Sequence, residues 1–229
     1  DHAATTPMLP EAISAVTAAM VAWANPSSPH ADGRAARAAL EGARAQVAAA
    51  YGWAHELIFT SGASESLWIA LRRSMGSQVL ITAVEHDSVL RYAEGARVVP
   101  VTPGGIVDLD ALRTALTPRT LLCVQWANSE TGVRQPIADI AAVVQDSGGI
   151  LVVDAAQMPA RADDAVLRHA DLVAVSAHKR GGPPGIGALL VRDFATLLPV
   201  GVEEKGYRAG TENLPGVLGY AAALAVPED

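Results

Sequence analysis

Cysteine occurs once in the 229-residue chain, at Cys123. A single thiol excludes an internal disulfide and fits a reducing compartment, so a cytoplasmic location is expected. No apolar stretch reaches the ~20 residues that a membrane-spanning helix needs. The first residues, Asp1-His2-Ala3-Ala4, lack the basic start and apolar core of a secretory signal. Lys and Arg form no cluster, and the formal charge is −7. Neither nucleic acid nor an anionic membrane is therefore an expected partner. Aromatic residues make up only 4% of the chain, which leaves the core to aliphatic side chains.

Half of the residues are apolar and alanine is abundant, a composition suited to close packing of helices on a sheet. Strand-like and helix-like stretches alternate along the whole length. Helical spacing covers 10–23, 33–51, a segment from Leu67, 108–116, 137–147 and 214–225. Short apolar runs at 56–60, 78–82, 98–101, 120–125, 150–153, 172–175 and 188–191 read as strands. This predicts one α/β domain of three layers, a mostly parallel sheet between helices, spanning 1–229. Residues 1–9 and 200–213 are expected as extended or loop segments.

Several polar groups stand just past these strand ends, where α/β sheets bind ligands. Lys179, in Ser176-Ala177-His178-Lys179, connects two apolar runs and precedes a glycine-rich stretch. A lysine there serves either as a solvated surface charge or as an amine that joins a carbonyl. Asp154 closes the run Ile150-Leu151-Val152-Val153; it is a helix cap or the acid partner of a ring nitrogen. Ser61-Gly62-Ala63-Ser64 turns a strand into a helix, as an ordinary cap or as an anion site. His86 follows a strand end and is a satisfied surface group or a ring that stacks on a flat cofactor. Cys123 lies inside an apolar run and reads as a core residue.

Taken together in this order, the motifs resemble the cysteine desulfurases of the class V aminotransferase group, fold-type I enzymes that use pyridoxal 5'-phosphate (PLP). The resemblance rests on Ala4-Thr5-Thr6-Pro7, Asn25-Pro26-Ser27-Ser28, Ser61 to Glu65, Glu85-His86, Asn128 to Gly132, Asp154 to Gln157, Ser176 to Lys179 and Arg208 to Asn213. It implies that Lys179 holds PLP as a Schiff base and moves the substrate α-proton. Asp154 would pair with the pyridine nitrogen, and His86 would stack on the ring and assist proton transfer. Gln157 and Asn128 would lie near the phenolic oxygen. Ala63, Ser64, Ser176 and His178 would bind the phosphate, and Thr211 would reach the phosphate of a partner subunit in a homodimer. No metal is implied.

The implied reaction converts L-cysteine, or a related amino acid, to L-alanine and passes sulfur to an enzyme cysteine and on to an acceptor protein. That cysteine, and an arginine for the substrate carboxylate, belong to a C-terminal small domain that in the family follows the region ending here at Asp229. Weak or absent desulfurase activity is therefore expected from these residues alone. A class V aminotransferase, a cysteine or selenocysteine lyase without a cysteine nucleophile, and a non-catalytic PLP-binding scaffold are the alternatives. Val200-Gly201-Val202-Glu203-Glu204 replaces the family's glycine-rich segment before Arg208, and valine resists the positive φ angles that glycine takes freely.

Overall fold

The computed structural model describes residues 1–227. In chain order its regular elements are α1 (Pro10–Val21), α2 (Ala31–Tyr51), β1 (Glu56–Thr60), α3 (Ala63–Arg72), β2 (Gln78–Thr82), α4 (Asp87–Tyr92), β3 (Arg97–Val99) and α5 (Leu109–Ala115). They continue with β4 (Thr120–Gln125), α6 (Ile137–Asp146), β5 (Ile150–Asp154), α7 (Asp164–His169), β6 (Leu172–Ser176), β7 (Gly187–Val191) and α8 (Leu214–Leu224). The seven strands form one sheet in the order β1-β7-β6-β5-β4-β2-β3.

Only β7 runs against its neighbours; β6, β5, β4, β2 and β3 pair in parallel. The reason is the connection. Parallel neighbours are joined through helices, whereas β6 and β7 are joined by the short Lys179 turn, which returns the chain antiparallel. Gly181 and Gly185 in that turn take φ of 69° and 72°, which glycine adopts without a Cβ clash.

The central strands are buried on both faces, so their residues sort alternately into two cores. Leu122, Val124, Val153 and Val175 pack with Leu40, Val47, Ile140, Val144 and Tyr220 from α2, α6 and α8. Leu121, Cys123, Val152 and Leu189 pack with Leu67, Ile69 and Val89 from α3 and α4. The expected three layers are present. The chain leaves β2 toward β3 on one side and leaves β4 toward β5 on the other. The strand order thus reverses between β2 and β4, and open α/β sheets place their ligand crevice outside the carboxyl ends of strands at such a point.

Some boundaries differ from the sequence reading. α3 begins at Ala63, four residues before Leu67, so Ser64 stands in its first turn. α2 begins at Ala31, where the His30 imidazole accepts the Gly33 N–H; α1 stops at Val21. β3 ends before Pro100, which has no N–H for a ladder. α4 and α7 occupy stretches without visible periodicity, and both are six residues long. In the segment 200–213, positive φ falls on Glu204, Lys205, Gly206 and Gly210, not on Val200 or Val202. The valines therefore cost that segment nothing.

Candidate active site

A cavity of about 610 Å³ opens at the carboxyl ends of the parallel strands. Its lining comes from the turns after β1, β2, β4, β5 and β6: Ser61 to Glu65, His86, Gln125 and Ala127, Asp154 to Gln157 (all but Ala155), and Ser176, His178 and Lys179. The parallel register brings these segments together although they lie far apart in sequence.

Lys179 ends a single 3₁₀ turn, Ala177–Lys179, directly after β6. The amino-terminal segment crosses this turn: Thr6 N–H donates to the His178 carbonyl at 2.9 Å, and Leu9 N–H donates to the Gly181 carbonyl at 2.9 Å. Burial holds the Lys179 amine below its ordinary range; Arg180 adds to the effect and Asp154 opposes it. Asp154 is the last residue of β5 and is 7% exposed. Its Oδ1 accepts the Ala156 N–H at 3.0 Å. Burial pushes its carboxyl up, while that N–H, Lys179 and His86 pull it down.

Across the cavity, α3 starts from Gly62, whose φ is 149°, and no side chain caps the helix. Its first-turn N–H groups and the positive end of its dipole therefore face the opening without an internal acceptor from the capping residue. The close fit behind the turn depends on Gly187. A Cβ there would lie 2.5 Å from the Val175 carbonyl oxygen and 2.7 Å from Gly62 Cα. Thr60 and Ser66 share a hydroxyl contact of 2.8 Å beneath the turn. Glu65 accepts the Ser61 N–H and, at 3.1 Å, the Arg208 Nε–H.

Among the residues expected from sequence, Ala63, Ser64, His86, Asp154, Gln157, Ser176, His178 and Lys179 line this one cavity. His86 caps α4, its Nδ1 accepting the Ser88 N–H at 3.1 Å. Gln157 donates to the Ala3 carbonyl at 2.9 Å. His178 Nδ1 lies 3.3 Å from the Thr5 hydroxyl, and burial, with Lys179, lowers its pKa. Asn128 is not in the lining: its Oδ1 accepts the Glu130 and Thr131 N–H groups at 2.9 Å, and its Nδ2 donates to the Val84 carbonyl at 3.2 Å. It builds the turn that presents Ala127 and Ser129. Thr211 is exposed and lies outside the lining.

Three residues of the site were given no role from sequence. Gln125 ends β4 and lines the cavity. Glu65 joins the α3 turn to Arg208. Glu85 lies buried between the ends of β2 and β4. The available signals were the acid four residues after Ser61 and the acid beside His86.

The family model for aminotransferase class-V matches residues 1–228. A cysteine desulfurase of Cereibacter sphaeroides is 38% identical over 253 residues, covering 100% of this chain and 65% of that protein. The chain thus spans just under two thirds of that curated relative. The solved structure of a NifS-like protein from Rickettsia africae superposes with a TM-score of 0.89 at 31% identity, covering 98% of this chain and 67% of the other. SspA in complex with cysteine superposes with a TM-score of 0.86 at 32% identity, covering 98% and 71%. With its order of strands, its strand-end cavity and a family match over nearly its entire length, the chain belongs to the aminotransferase class-V family.

Proposed function

We propose that this chain is the PLP-binding large domain of a cysteine desulfurase-like protein acting on L-cysteine or a related amino acid. The observation that carries the reading is a single cavity lined by Lys179, Asp154 and the uncapped start of α3. These residues fit the cofactor. A phosphate suits the free N–H groups and dipole of a helix start. Asp154 is a buried acid held toward its neutral form, and a protonated ring nitrogen would give it the counter-charge that burial otherwise lacks. The Lys179 amine is also displaced toward its neutral form, the form whose electron pair reacts with an aldehyde.

When bound, PLP supplies an electron sink for the electron pair left on the substrate α-carbon. In this reading Ala63, Ser64, Ser176 and His178 hold the phosphate. Asp154 keeps the ring nitrogen protonated, His86 lies against the ring face, and Gln157 sits toward the phenolic oxygen. Asn128 acts by shaping the neighbouring turn. Lys179 holds the cofactor and afterwards takes and returns the proton at the substrate α-carbon. Thr211, on the surface, is directed to a second subunit. A homodimer, a sulfur-acceptor protein and a cytoplasmic setting belong to the same proposal.

Cys123 is not the sulfur nucleophile in this scheme. It is fully buried in β4, and burial, with Glu85 and Asp154 adding, pushes its thiol well up; the thiol, not the reactive thiolate, is therefore its form. The sequence holds no other cysteine.

The test is PLP loading, borohydride reduction and peptide mapping, with alanine release from L-cysteine measured on the same samples. Label is expected on Lys179, no label in Lys179→Ala, and slow alanine release that an added thiol accelerates. Capture of PLP should quicken as pH rises and level off below the ordinary lysine range of about 10.4. Label at Lys205 instead, or equal label in Lys179→Ala, would refute the assignment.

A further inference from the structure

We infer that Glu85 is a positioning residue of this site: one carboxyl oxygen ties the β2–α4 turn, and His86 with it, to the end of β4, while the other carries a proton that keeps a second anion away from Asp154. The relevance to PLP rests on the function proposed above; the geometry does not.

Glu85 sits where the strand order reverses. The β2–β4 ladder ends at the pair Ile81 and Cys123, while β4 continues to Gln125. The Gln125 N–H therefore emerges beside a strand that has already turned away. Glu85 Oε1 accepts that N–H at 3.0 Å and the Thr82 hydroxyl at 2.5 Å. On its other side Gln125 is in register with Asp154. One buried carboxyl thus seals the gap between β2 and β4, and another ends the next strand.

Glu85 is 7% exposed, and its Oε2 is buried with no hydrogen-bond partner among the described residues. No cation pairs with Glu85 among those residues. An ionised carboxylate with one oxygen bare of donors is far more costly to bury than a neutral acid with one unpaired O–H. Burial pushes the group up to about 8, Asp154 adds to this, and the Thr82 and Gln125 bonds oppose it. The titratable groups around it are Asp154 on β5, Cys123 on β4 and the adjacent His86. Lys179 acts on Asp154. At neutral pH Glu85 thus adds no second negative charge beside Asp154.

The test compares the full chain with Glu85→Gln, which keeps an acceptor at Oε1 without titrating, and Glu85→Ala, which removes the acceptor. Urea unfolding of PLP-free protein from pH 5 to 9 reads the proton. A folded-state pKa raised above the unfolded one gives stability that is lost as pH rises from the ordinary glutamate range to about 8. Wild type should lose stability relative to Glu85→Gln across that interval, and the gap should be constant above it. A gap independent of pH would overturn the protonated state. Hydrogen exchange of residues 83–88 reads the anchor: about 10-fold faster in Glu85→Ala, and within about 2-fold of wild type in Glu85→Gln. PLP affinity at pH 7 should follow the same order, about 10-fold weaker for Glu85→Ala and near wild type for Glu85→Gln. Unchanged exchange in Glu85→Ala would overturn the anchor. Failure of wild type to bind PLP would remove the proposed function while leaving the unfolding and exchange tests intact.

Discussion

Buried acids occur in two settings in this molecule, and they are treated in opposite ways. Behind β1, Arg44 donates to Glu204 at 2.6 and 3.0 Å, to Glu41 at 2.9 Å and to the Leu57 carbonyl at 2.9 Å. Glu204 also accepts the Phe59 N–H at 2.8 Å. Burial works against the Arg44 charge, but the bonds to Glu204 and Glu41 outweigh it and hold the guanidinium more firmly protonated. Arg208 with Glu65 at 3.1 Å and Arg37 with Glu212 at 3.2 Å, the latter leaving Glu212 Oε2 without a hydrogen-bond partner among the described residues, join it in pinning the 203–212 segment to α2 and α3. At the cavity, Asp154, Glu85 and Lys179 are instead displaced toward their neutral forms. Paired charges hold a chain in place, whereas groups displaced toward neutrality around a cleft are the pattern that the proposed function calls for.

Removing one partner should expose the difference most strongly at the clamp. Arg44→Ala leaves Glu204 buried and unpaired and is expected to cost about 3–5 kcal/mol in urea unfolding. Replacing Arg44 and Glu204 together by Met and Leu should recover much of that loss, because the uncompensated charge goes with its partner.

Asp154→Asn should act the other way on the PLP-free protein. The folded pKa of Asp154 is raised, so wild type has this contribution to stability in acid and loses it as pH rises through that pKa. The asparagine variant is therefore expected to unfold at higher urea at pH 8, yet to retain PLP at least about 10-fold less well, as a charge-assisted bond is lost. A variant less stable than wild type at pH 8 would break the contrast between the two regions.

The smallest effect should come from a pair that belongs to neither. Arg113 and Asp110 meet at 2.7 Å on the exposed face of α5, and Arg113→Ala should change stability by less than about 0.5 kcal/mol.

Much of this was legible in the chain. The strands at Glu56–Thr60, Gln78–Thr82 and Thr120–Gln125 have the limits that their apolar runs mark, because a strand buried on both faces needs an unbroken run. α4 and α7 were not legible, since six residues are too few to display a helical period. Lys179, Asp154 and the Ser61–Ser64 turn could be picked out because each directly follows a strand-like run. Asn128 was placed at the site by its motif, but its amide is engaged in its own turn, a competition that short polar side chains often win.

By itself the sequence determined the alternation of strands and helices, the strand ends that carry polar groups and the place of Cys123 within a strand. Those are properties of local order and composition. Only the tertiary structure decided that β7 runs antiparallel, that β2 stops short of β4 so that Glu85 closes the gap, and that Glu204 meets an arginine while Asp154 and Glu85 do not. Burial and charge pairing depend on which segments meet in space, and the buried carboxyls of Glu204 and Glu85 acquire opposite roles from that difference.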